Sequence, residues 1–216
     1  MSQKAILEGL YAITQAHPAG FDYTLKQVEA ALSGGVRILQ YRDKQPGEQR
    51  RITEAENLRT LCHQNGALLI INDDVDLAKR SHADGVHVGR EDSDIANARN
   101  KLGKQAIIGI SCYNQLPLAR DAEKAGADYV AFGRFFPSRT KPEAVQAKPE
   151  LLEEAKRQLR IPIVAIGGIT PENGATLIQS GADMLAVIHA IFGTDDIAAS
   201  CQRFNQLFDR SERVSS

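Results

Sequence analysis

Eight short apolar runs, rich in β-branched residues, recur along the chain and alternate with stretches whose apolar residues have helical spacing. A glycine signature precedes several runs, as in SGGV from Ser33 and SGADML from Ser180, where glycine can end a helix in the left-handed conformation. Eight consecutive βα units close naturally into a barrel, whereas a doubly wound open sheet usually has fewer strands. We therefore predict an α/β fold, a single-domain (β/α)8 TIM barrel. The predicted strands are LYAIT (10–14), VRILQY (36–41), LLIIN (68–72), GVHVG (85–89), AIIGIS (106–111), YVAFG (129–133), PIVAIG (162–167) and MLAVIH (184–189).

Composition limits the class of protein. The 216 residues show no linker-like change in composition, so we predict one barrel domain over residues 1–216. A formal net charge of −1 gives no global attraction to nucleic acid or to an anionic membrane. Three widely separated cysteines, no secretory signal pattern and no membrane-length apolar run predict a cytoplasmic protein with reduced thiols. The sequence leaves open whether the chain forms a homo-oligomer.

The second predicted strand ends in QYRDK, with Gln40, Arg42 and Lys44 at alternate positions. In a strand, alternate side chains point to the same side, so the amide and both cations would point together. In a barrel, the carboxyl ends of the strands build the functional site. The pattern predicts a local anion site, although a basic strand end of solvated charge is the alternative.

A long irregular segment follows the sixth strand, RFFPSRTKPEAVQAKP at 134–149. Unstructured loops of this length in compact domains are commonly functional lids or are disordered. Arg139 and Lys141 within it could close over the same anion site.

Acidic residues follow the next two strands. Asn72 and Asp73 end the third strand and Asp92 follows the fourth, so neighbouring loops could bring the two carboxylates together. Oxygen ligands of this kind suit Mg2+, which keeps several waters and is shared with substrate phosphates. The alternative is that Asp73, Asp74 and Asp76 are ordinary first-turn acids of a helix, and that Asp92 or Asp94 caps the next helix. Beside the basic cluster, Mg2+ bridging a diphosphate explains them better.

A glycine pair at the seventh strand end predicts a phosphate cradle. In AIGGITPEN, the bare amides of Gly167 and Gly168 would join Ile188 and His189 at the end of the eighth strand. Thr170 is the expected N-cap of the following helix. A glycine-rich turn that binds no ligand is the alternative.

Other catalytic motifs are weak or missing from the sequence. His87 alternates with Val86 and Val88, which favours a packed interior histidine over a catalyst. Cys112 has no base nearby in sequence, so a nucleophilic dyad is not favoured. Lys44 and Lys141 lie in polar surroundings that do not favour the neutral amine of a Schiff base. The sequence contains no H-E-x-x-H, G-K-[ST] or G-x-G-x-x-G motif.

Several fragments, in order and over nearly the whole chain, resemble the thiamine phosphate synthase family. They are QYRDK, NDDVDLA, ADGVHVGREDSD, IGIS, FFPSRTK, IPIVAIGGI and ADMLAVIHAIF. The resemblance implies a (β/α)8 enzyme that joins a pyrimidine diphosphate to a thiazole phosphate. It would release diphosphate and form thiamine phosphate with Mg2+ as the cofactor.

The resemblance also implies a role for each matching residue. His189 stands where many members carry Ser, so the backbone amide contact would remain there while the hydroxyl contact is lost, and Arg139 matches a variable position. Arg42, Lys44, Ser111 and Lys141 are the implied catalytic residues. The implied pyrimidine diphosphate ligands are Gln40, Tyr41, Arg42, Asp43, Lys44, Asn72, Ser111 and Lys141, the Mg2+ ligands are Asp73 and Asp92, and the thiazole phosphate ligands are Ser138, Arg139, Thr140, Gly168, Ile188 and His189.

The implied reaction needs no protein nucleophile. Diphosphate would leave before the incoming thiazole nitrogen bonds strongly, while cations neutralise its growing charge. The sequence leaves three rival functions open. They are a thiazole tautomerase-like paralogue, another phosphate-binding barrel enzyme such as an aldolase or isomerase, and a non-catalytic phosphate-binding barrel.

Overall fold

The computed structural model describes residues 7–89, 95–137 and 145–214. Eight parallel strands close into a barrel in chain order, with the eighth strand paired to the first. The strands are β1 Gly9–Ile13, β2 Ile38–Tyr41, β3 Leu68–Asn72, β4 Gly85–Val88, β5 Ile107–Tyr113, β6 Tyr129–Gly133, β7 Ile163–Ile166 and β8 Met184–Val187. The helices are α1 Phe21–Ser33, α2 Glu48–Gln64, α3 Val75–Arg80, α4 Ile95–Leu102, α5 Leu116–Lys124, α6 Glu150–Gln158, α7 Gly174–Gln179, α8 His189–Phe192 and α9 Ile197–Val214.

The predicted (β/α)8 TIM barrel is confirmed, and each of the eight predicted runs forms a strand. Several strand boundaries differ from the prediction by one residue, and three differ by two. β8 ends at Val187, because His189 already begins α8. β2 begins at Ile38, and β5 continues to Tyr113 because a bulge between Ser111 and Tyr113 shifts its pairing with β6. That residues 1–216 form one domain stays a prediction.

Alternation along the strands divides the core into two layers. In β1, Leu10 and Ala12 pack with the helices, whereas Tyr11 and Ile13 belong to a second cluster built from strand residues inside the barrel. Because the barrel is closed, inward residues at the carboxyl ends of the strands converge on one space. That space contains the polar side chains described below.

An aspartate recurs at the amino ends of three strands, at the end of the barrel opposite the cavity. Asp84, Asp128 and Asp183 directly precede β4, β6 and β8, within the recurring signatures HADG, GADY and GADM. Each exchanges two hydrogen bonds with the strand before it. In the β5 pair, the Asp128 amide donates to the Ile108 carbonyl at 2.8 Å, and the Asp128 carboxylate accepts the Ile108 amide at 2.9 Å. The repeat therefore joins neighbouring βα units at the face opposite the predicted site.

All three cysteines are buried as free thiols. Burial raises the pKa of Cys62, Cys112 and Cys201 to about 12, so each thiol stays protonated near neutral pH. This agrees with the expectation that Cys112 is not a nucleophile. The cytoplasmic location stays a prediction. Within the described ranges, no helix combines the length and the apolar character needed to cross a membrane.

Candidate active site

A cavity of about 360 Å³ opens at the carboxyl ends of the strands. Side chains from all eight strands line it, together with residues of the loops that follow them. The cavity is closed below by apolar side chains such as Ile13, Val164 and Ala186. It is thus a polar-rimmed pocket over an apolar floor, the form expected of a small-molecule site.

Four predicted ligands of the pyrimidine diphosphate lie together in this cavity. Gln40 lies in β2, Asn72 in β3 and Ser111 in β5, and Arg42 is the residue that directly follows β2. Gln40 is buried and Arg42 is half-buried. The Arg42 amide donates to Thr14 Oγ1 at 3.0 Å, which ties the end of β2 to the end of β1.

Lys44 does not line the cavity with them. β2 ends at Tyr41, so strand alternation stops before it reaches Lys44, whose side chain is exposed. The alternation in QYRDK therefore brings Gln40 and Arg42 to the site but does not place Lys44 there.

Tyr41 and Asp43, also predicted as ligands, face α2 instead of the cavity. Tyr41 donates to Glu54 at 2.5 Å, and Arg50 donates to Asp43 at 2.6 Å and to Glu54 at 2.7 Å. Burial and the neighbouring Glu54 carboxylate raise the pKa of Tyr41, so its hydroxyl keeps the proton it donates. These two side chains attach the β2–α2 loop to its helix, and neither residue lines the cavity.

Asp73 and Asp74 are adjacent but have different surroundings. Asp74 is the N-cap of α3, accepts the Leu77 amide at 2.8 Å and pairs with Arg51 at 3.0 Å. Asp73 has a left-handed backbone with φ of 63°, and its exposed carboxylate accepts a hydrogen bond from Asn72 Nδ2 at 2.6 Å. The helix-cap alternative therefore applies to Asp74. The Asp73 carboxylate stays exposed, next to the cavity residue Asn72, and its oxygens are available as ligands.

The predicted phosphate cradle lies on the side of the cavity opposite Gln40, Arg42 and Asn72. Gly167, Gly168, Ile188 and His189 all line it. Both glycines have positive φ, 105° and 64°, and a Cβ on Gly168 would lie 2.3 Å from the Pro137 carbonyl oxygen. Glycine is thus required here by backbone conformation and by close packing of the segment after β6.

The predicted helix start at Thr170 is wrong. The Thr170 amide donates to Asn173 Oδ1 at 2.9 Å, and the Gly174 amide donates to the Thr170 carbonyl at 3.0 Å. These bonds form a turn, so α7 begins only at Gly174.

The two ends of the predicted lid are paired to each other, and the first end is also attached to the end of β7. The Ala147 amide donates to the Arg134 carbonyl at 2.8 Å, and Gln146 Nε2 donates to the Phe135 carbonyl at 2.9 Å. The Phe136 amide also donates to the Gly167 carbonyl at 3.0 Å. The base of the segment is thus paired to itself and to the cradle.

Five predicted site residues lie outside the described residues. They are Asp92, Ser138, Arg139, Thr140 and Lys141. Within the described ranges there is no group of three or more His, Cys, Asp or Glu side chains that could hold a metal ion.

Sequence and fold comparisons agree on one family. The sequence profile described as thiamine monophosphate synthase matches residues 10–191. The chain belongs to this family. Among relatives, it is 52% identical to the thiamine-phosphate synthase of Nitrosococcus oceani over 94% of this chain and 93% of that protein. It is 49% identical to the one from Thioalkalivibrio sulfidiphilus over 94% and 96% of the two chains. The thiamine phosphate pyrophosphorylase structure from Pyrococcus furiosus superposes with a TM-score of 0.85 at 33% identity, covering 96% of this chain and 98% of that one.

Membership of the thiamine monophosphate synthase family confirms the resemblance seen in the sequence and the enzyme class it implied. The sequence did not select three residues of the cavity wall in this family member, Tyr11, Tyr113 and Arg134. Strand alternation could have found Tyr11, because it stands two residues before the inward Ile13. Arg134 could have been found as the first residue after β6. Tyr113 was missed because it lies in β5 beyond Ser111, where the predicted strand ended.

The inward position predicted for His87 is confirmed. Its Nε2 lies 2.8 Å from Ser111 Oγ and its Nδ1 lies 3.0 Å from the Tyr129 hydroxyl. His87 therefore contacts a predicted ligand of the substrate, although the sequence indicated only a packing role.

Proposed function

We propose that this cavity condenses 4-amino-2-methyl-5-(diphosphooxymethyl)pyrimidine with 4-methyl-5-(2-phosphooxyethyl)thiazole to give thiamine phosphate and diphosphate. One observation carries the proposal. A single cavity has the donors Gln40, Arg42 and Asn72 on one side and the glycine cradle on the other. Two phosphorylated substrates could thus approach from opposite sides with their reacting atoms between them. The near-complete likeness to thiamine-phosphate synthases supports the same reaction.

The pyrimidine side is suited to a ring that carries an anionic leaving group. Gln40 and Ser111 lie at the inward positions and would contact the ring, while Arg42 and Asn72 lie nearer the mouth and would contact the diphosphate. Arg42 is a permanent cation with several donors in a planar array. Lys141, outside the described residues, would add a second cation, and the exposed Lys44 could contribute only from the rim.

Mg2+ fits the donor set on this side. Asp73 is a hard oxygen donor, is exposed, follows the cavity residue Asn72 and is not used to cap α3. Mg2+ commonly takes one or two carboxylates and completes its shell with water and substrate phosphates, so a small protein donor set suffices. Asp73 would hold it together with Asp92, and when bound the ion would neutralise negative charge on the departing diphosphate.

The chemistry requires bond cleavage followed by bond formation at one carbon. The bond between the pyrimidine methylene and the diphosphate oxygen breaks, and its electron pair leaves with diphosphate. Arg42 stabilises that growing charge, and the aminopyrimidine ring delocalises the positive charge left on the methylene. The thiazole nitrogen then donates its lone pair to the methylene carbon. His87, Ser111 and Gln40 orient the ring throughout, and no protein group forms a covalent bond.

The cradle side holds the thiazole phosphate. The Gly168 amide and the backbone at Ile188 and His189 would bind the phosphate, and Ser138, Arg139 and Thr140 would close over it. The base of the 134–149 segment supports this placement, because its two ends are paired to each other and Phe136 is paired to Gly167 of the cradle. Closure would exclude water, which would otherwise capture the methylene cation.

The test is a reconstitution of the reaction with the purified protein, both substrates and Mg2+. We expect equal amounts of thiamine phosphate and diphosphate, and loss of turnover in excess chelator with recovery when Mg2+ is restored. Turnover at the full rate in chelator would overturn the metal assignment. The absence of thiamine phosphate with all components present, in protein shown to be folded, would overturn the function.

A further inference from the structure

A continuous chain of hydrogen bonds crosses the interior of the barrel, and four of its five side chains line the cavity. Gln40 Nε2 donates to the Tyr11 hydroxyl at 2.8 Å, which lies 2.8 Å from the Tyr129 hydroxyl. The Tyr129 hydroxyl lies 3.0 Å from His87 Nδ1, and His87 Nε2 lies 2.8 Å from Ser111 Oγ. The two proposed ring ligands, Gln40 and Ser111, are therefore connected through three other side chains, which we call the inner network.

The barrel leaves room for this network at a specific glycine. A Cβ on Gly109 of β5 would lie 2.0 Å from Tyr129 Cζ, so only glycine admits the Tyr129 ring at its present position. The Tyr11 and Tyr129 rings meet edge to face, with centroids 6.0 Å apart, and Tyr129 stacks on His87 at 5.6 Å. Burial raises the pKa of both tyrosines, so both hydroxyls keep their protons.

One set of hydrogen-bond directions gives every proton of the network an acceptor. Gln40 donates to the Tyr11 oxygen, the Tyr11 proton goes to Tyr129, and the Tyr129 proton goes to His87 Nδ1. In the opposite direction, Tyr129 would donate to Tyr11 and the Tyr11 proton would have no acceptor within the network. A neutral His87 that accepts at Nδ1 carries its proton on Nε2 and donates it to Ser111 Oγ. The Ser111 proton and the Gln40 carbonyl oxygen are then left for a ligand in the cavity.

We propose that Tyr11 and Tyr129 are positioning residues that prevent the Gln40 amide from turning over, and so make the cavity select a 4-aminopyrimidine over its 4-oxo analogue. The proposal rests on the proposed function and concerns the recognition of its pyrimidine substrate. The Gln40 oxygen accepts a hydrogen bond from the amino group, and Ser111 donates one to a ring nitrogen. An oxo group presents a second acceptor to the Gln40 oxygen. Gln40 could accommodate it only by turning its amide, which would break the bond to Tyr11.

Removal of either hydroxyl should release the amide. In Tyr11→Phe, Gln40 loses its fixed partner. In Tyr129→Phe, the Tyr11 proton loses its acceptor and can turn to the Gln40 oxygen, which reverses that end of the network. Both substitutions keep the aromatic ring that fills the barrel. Tyr23→Phe is the matched control, because Tyr23 is exposed and stacks on His17 outside the barrel interior.

The first experiment compares kcat/KM for the 4-amino and 4-oxo pyrimidine diphosphates in the wild type and the three variants. We expect the amino preference to fall at least tenfold in Tyr11→Phe and Tyr129→Phe, through KM of the pyrimidine substrates, and to stay unchanged in Tyr23→Phe. The KM of the thiazole phosphate should stay within twofold. An unchanged preference in both network variants would overturn the proposal.

The second experiment is independent of turnover. Nitrogen-15 NMR of the histidine rings, with His87 assigned by its loss in His87→Asn, reports which ring nitrogen carries the proton. We expect the Nε2–H tautomer in the wild type and a shift away from it in Tyr129→Phe. A wild-type Nδ1–H tautomer would overturn the proposal even if no variant folds. Inactivity of the wild type alongside the expected tautomer would count against the proposed function and leave the network intact.

Discussion

At the residue scale, two adjacent aspartates illustrate how local geometry separates a structural role from a chemical one. The sequence NDDVD left Asp73 open to two readings, a metal ligand or a first-turn acid of a helix, whereas Asp74 had only the second. The structure assigns Asp74 to the N-cap of α3, whereas Asp73 turns away with a positive φ. A difference in backbone conformation between adjacent residues thus decides which carboxylate caps the helix and which stays exposed.

The Asp73 and Asp74 assignments predict opposite mutational effects. Asp73→Asn should lower turnover on the order of 100-fold at fixed Mg2+, because a ligand to the ion is lost, with thermal stability unchanged. Asn tolerates the left-handed backbone at this position. Asp74→Ala should destabilise the protein by about 1 kcal/mol through the lost cap and keep its activity. Activity against Mg2+ concentration and thermal unfolding of both variants check this, and the reverse pattern would refute the assignment.

Arg42 allows a second test at this scale. Arg42→Ala should reduce kcat/KM on the order of 100- to 1000-fold with the fold intact, because charge on the leaving diphosphate is no longer neutralised. Arg37→Ala is the control, since Arg37 lies just before the same strand and pairs with the exposed Glu8. Steady-state kinetics and unfolding curves measure both variants. Equal kinetics in the two would remove Arg42 from the mechanism.

The sequence predicted part of this residue-level picture. Strand alternation selected Gln40 and Arg42 correctly as cavity residues, because it needs only a strand period of two. It could not show that β2 ends at Tyr41, which leaves Lys44 outside the cavity. The attachment of Asp43 and Tyr41 to α2 depends on Arg50 and Glu54, and a strand pattern carries no information about these tertiary partners.

At the element scale, the aspartate repeat explains a signature that the sequence showed only as a helix end followed by a strand. In the central copy, Asp128 binds the Ile108 amide and pairs with Arg99 at 2.7 Å. The repeat lies at the end of the barrel away from the cavity, so it should affect stability without affecting chemistry.

Asp128→Ala should destabilise the protein by about 2–3 kcal/mol, because a buried amide and a paired cation lose their charged partner. The kcat of folded protein should stay near the wild-type value. Asp121→Ala is the control, because Asp121 is exposed and its ion pair with Lys124 is long, at 3.9 Å. Its effect on the free energy of unfolding should stay within about 0.5 kcal/mol. Denaturant unfolding gives both values. A large loss of kcat in folded Asp128→Ala would contradict the claim that this end of the barrel contributes to stability and the opposite end to chemistry.

The junction between β7 and the base of the lid predicts a coupled loss. Gly168→Ala should cost about 1–3 kcal/mol for its positive φ, and the clash with Pro137 should displace the base of the segment. Displacement should raise the KM of the thiazole phosphate on the order of 10- to 100-fold. Gly126→Ala shares the positive φ but meets no atom within 4 Å of the new Cβ, so it should lose stability and keep KM. Equal KM values for the thiazole phosphate in the two variants would show that the cradle and the base of the segment do not act together in binding.

At the scale of the whole molecule, the fold followed from periodicity because eight equivalent units have one simple closed arrangement. Periodicity also predicted that the residues at the ends of β2 and β3 and those after β7 and β8 would line one cavity, because all parallel strands of a barrel end at the same rim. The inner network did not follow from periodicity, because Tyr11 and Tyr129 are 118 residues apart and meet only when the barrel closes. Gly109, which admits the Tyr129 ring, likewise has no local signal of that role.

The central claim is that one cavity holds the pyrimidine and thiazole parts at opposite sides of the reacting carbon. A crystal structure of the protein with thiamine phosphate, diphosphate and Mg2+ tests it most directly. We expect the aminopyrimidine between Gln40 and Ser111, the thiazole phosphate against Gly168, Ile188 and His189, and diphosphate with Mg2+ beside Arg42 and Asp73. Thiamine phosphate bound outside this cavity, or with its phosphate beside Arg42, would contradict the account.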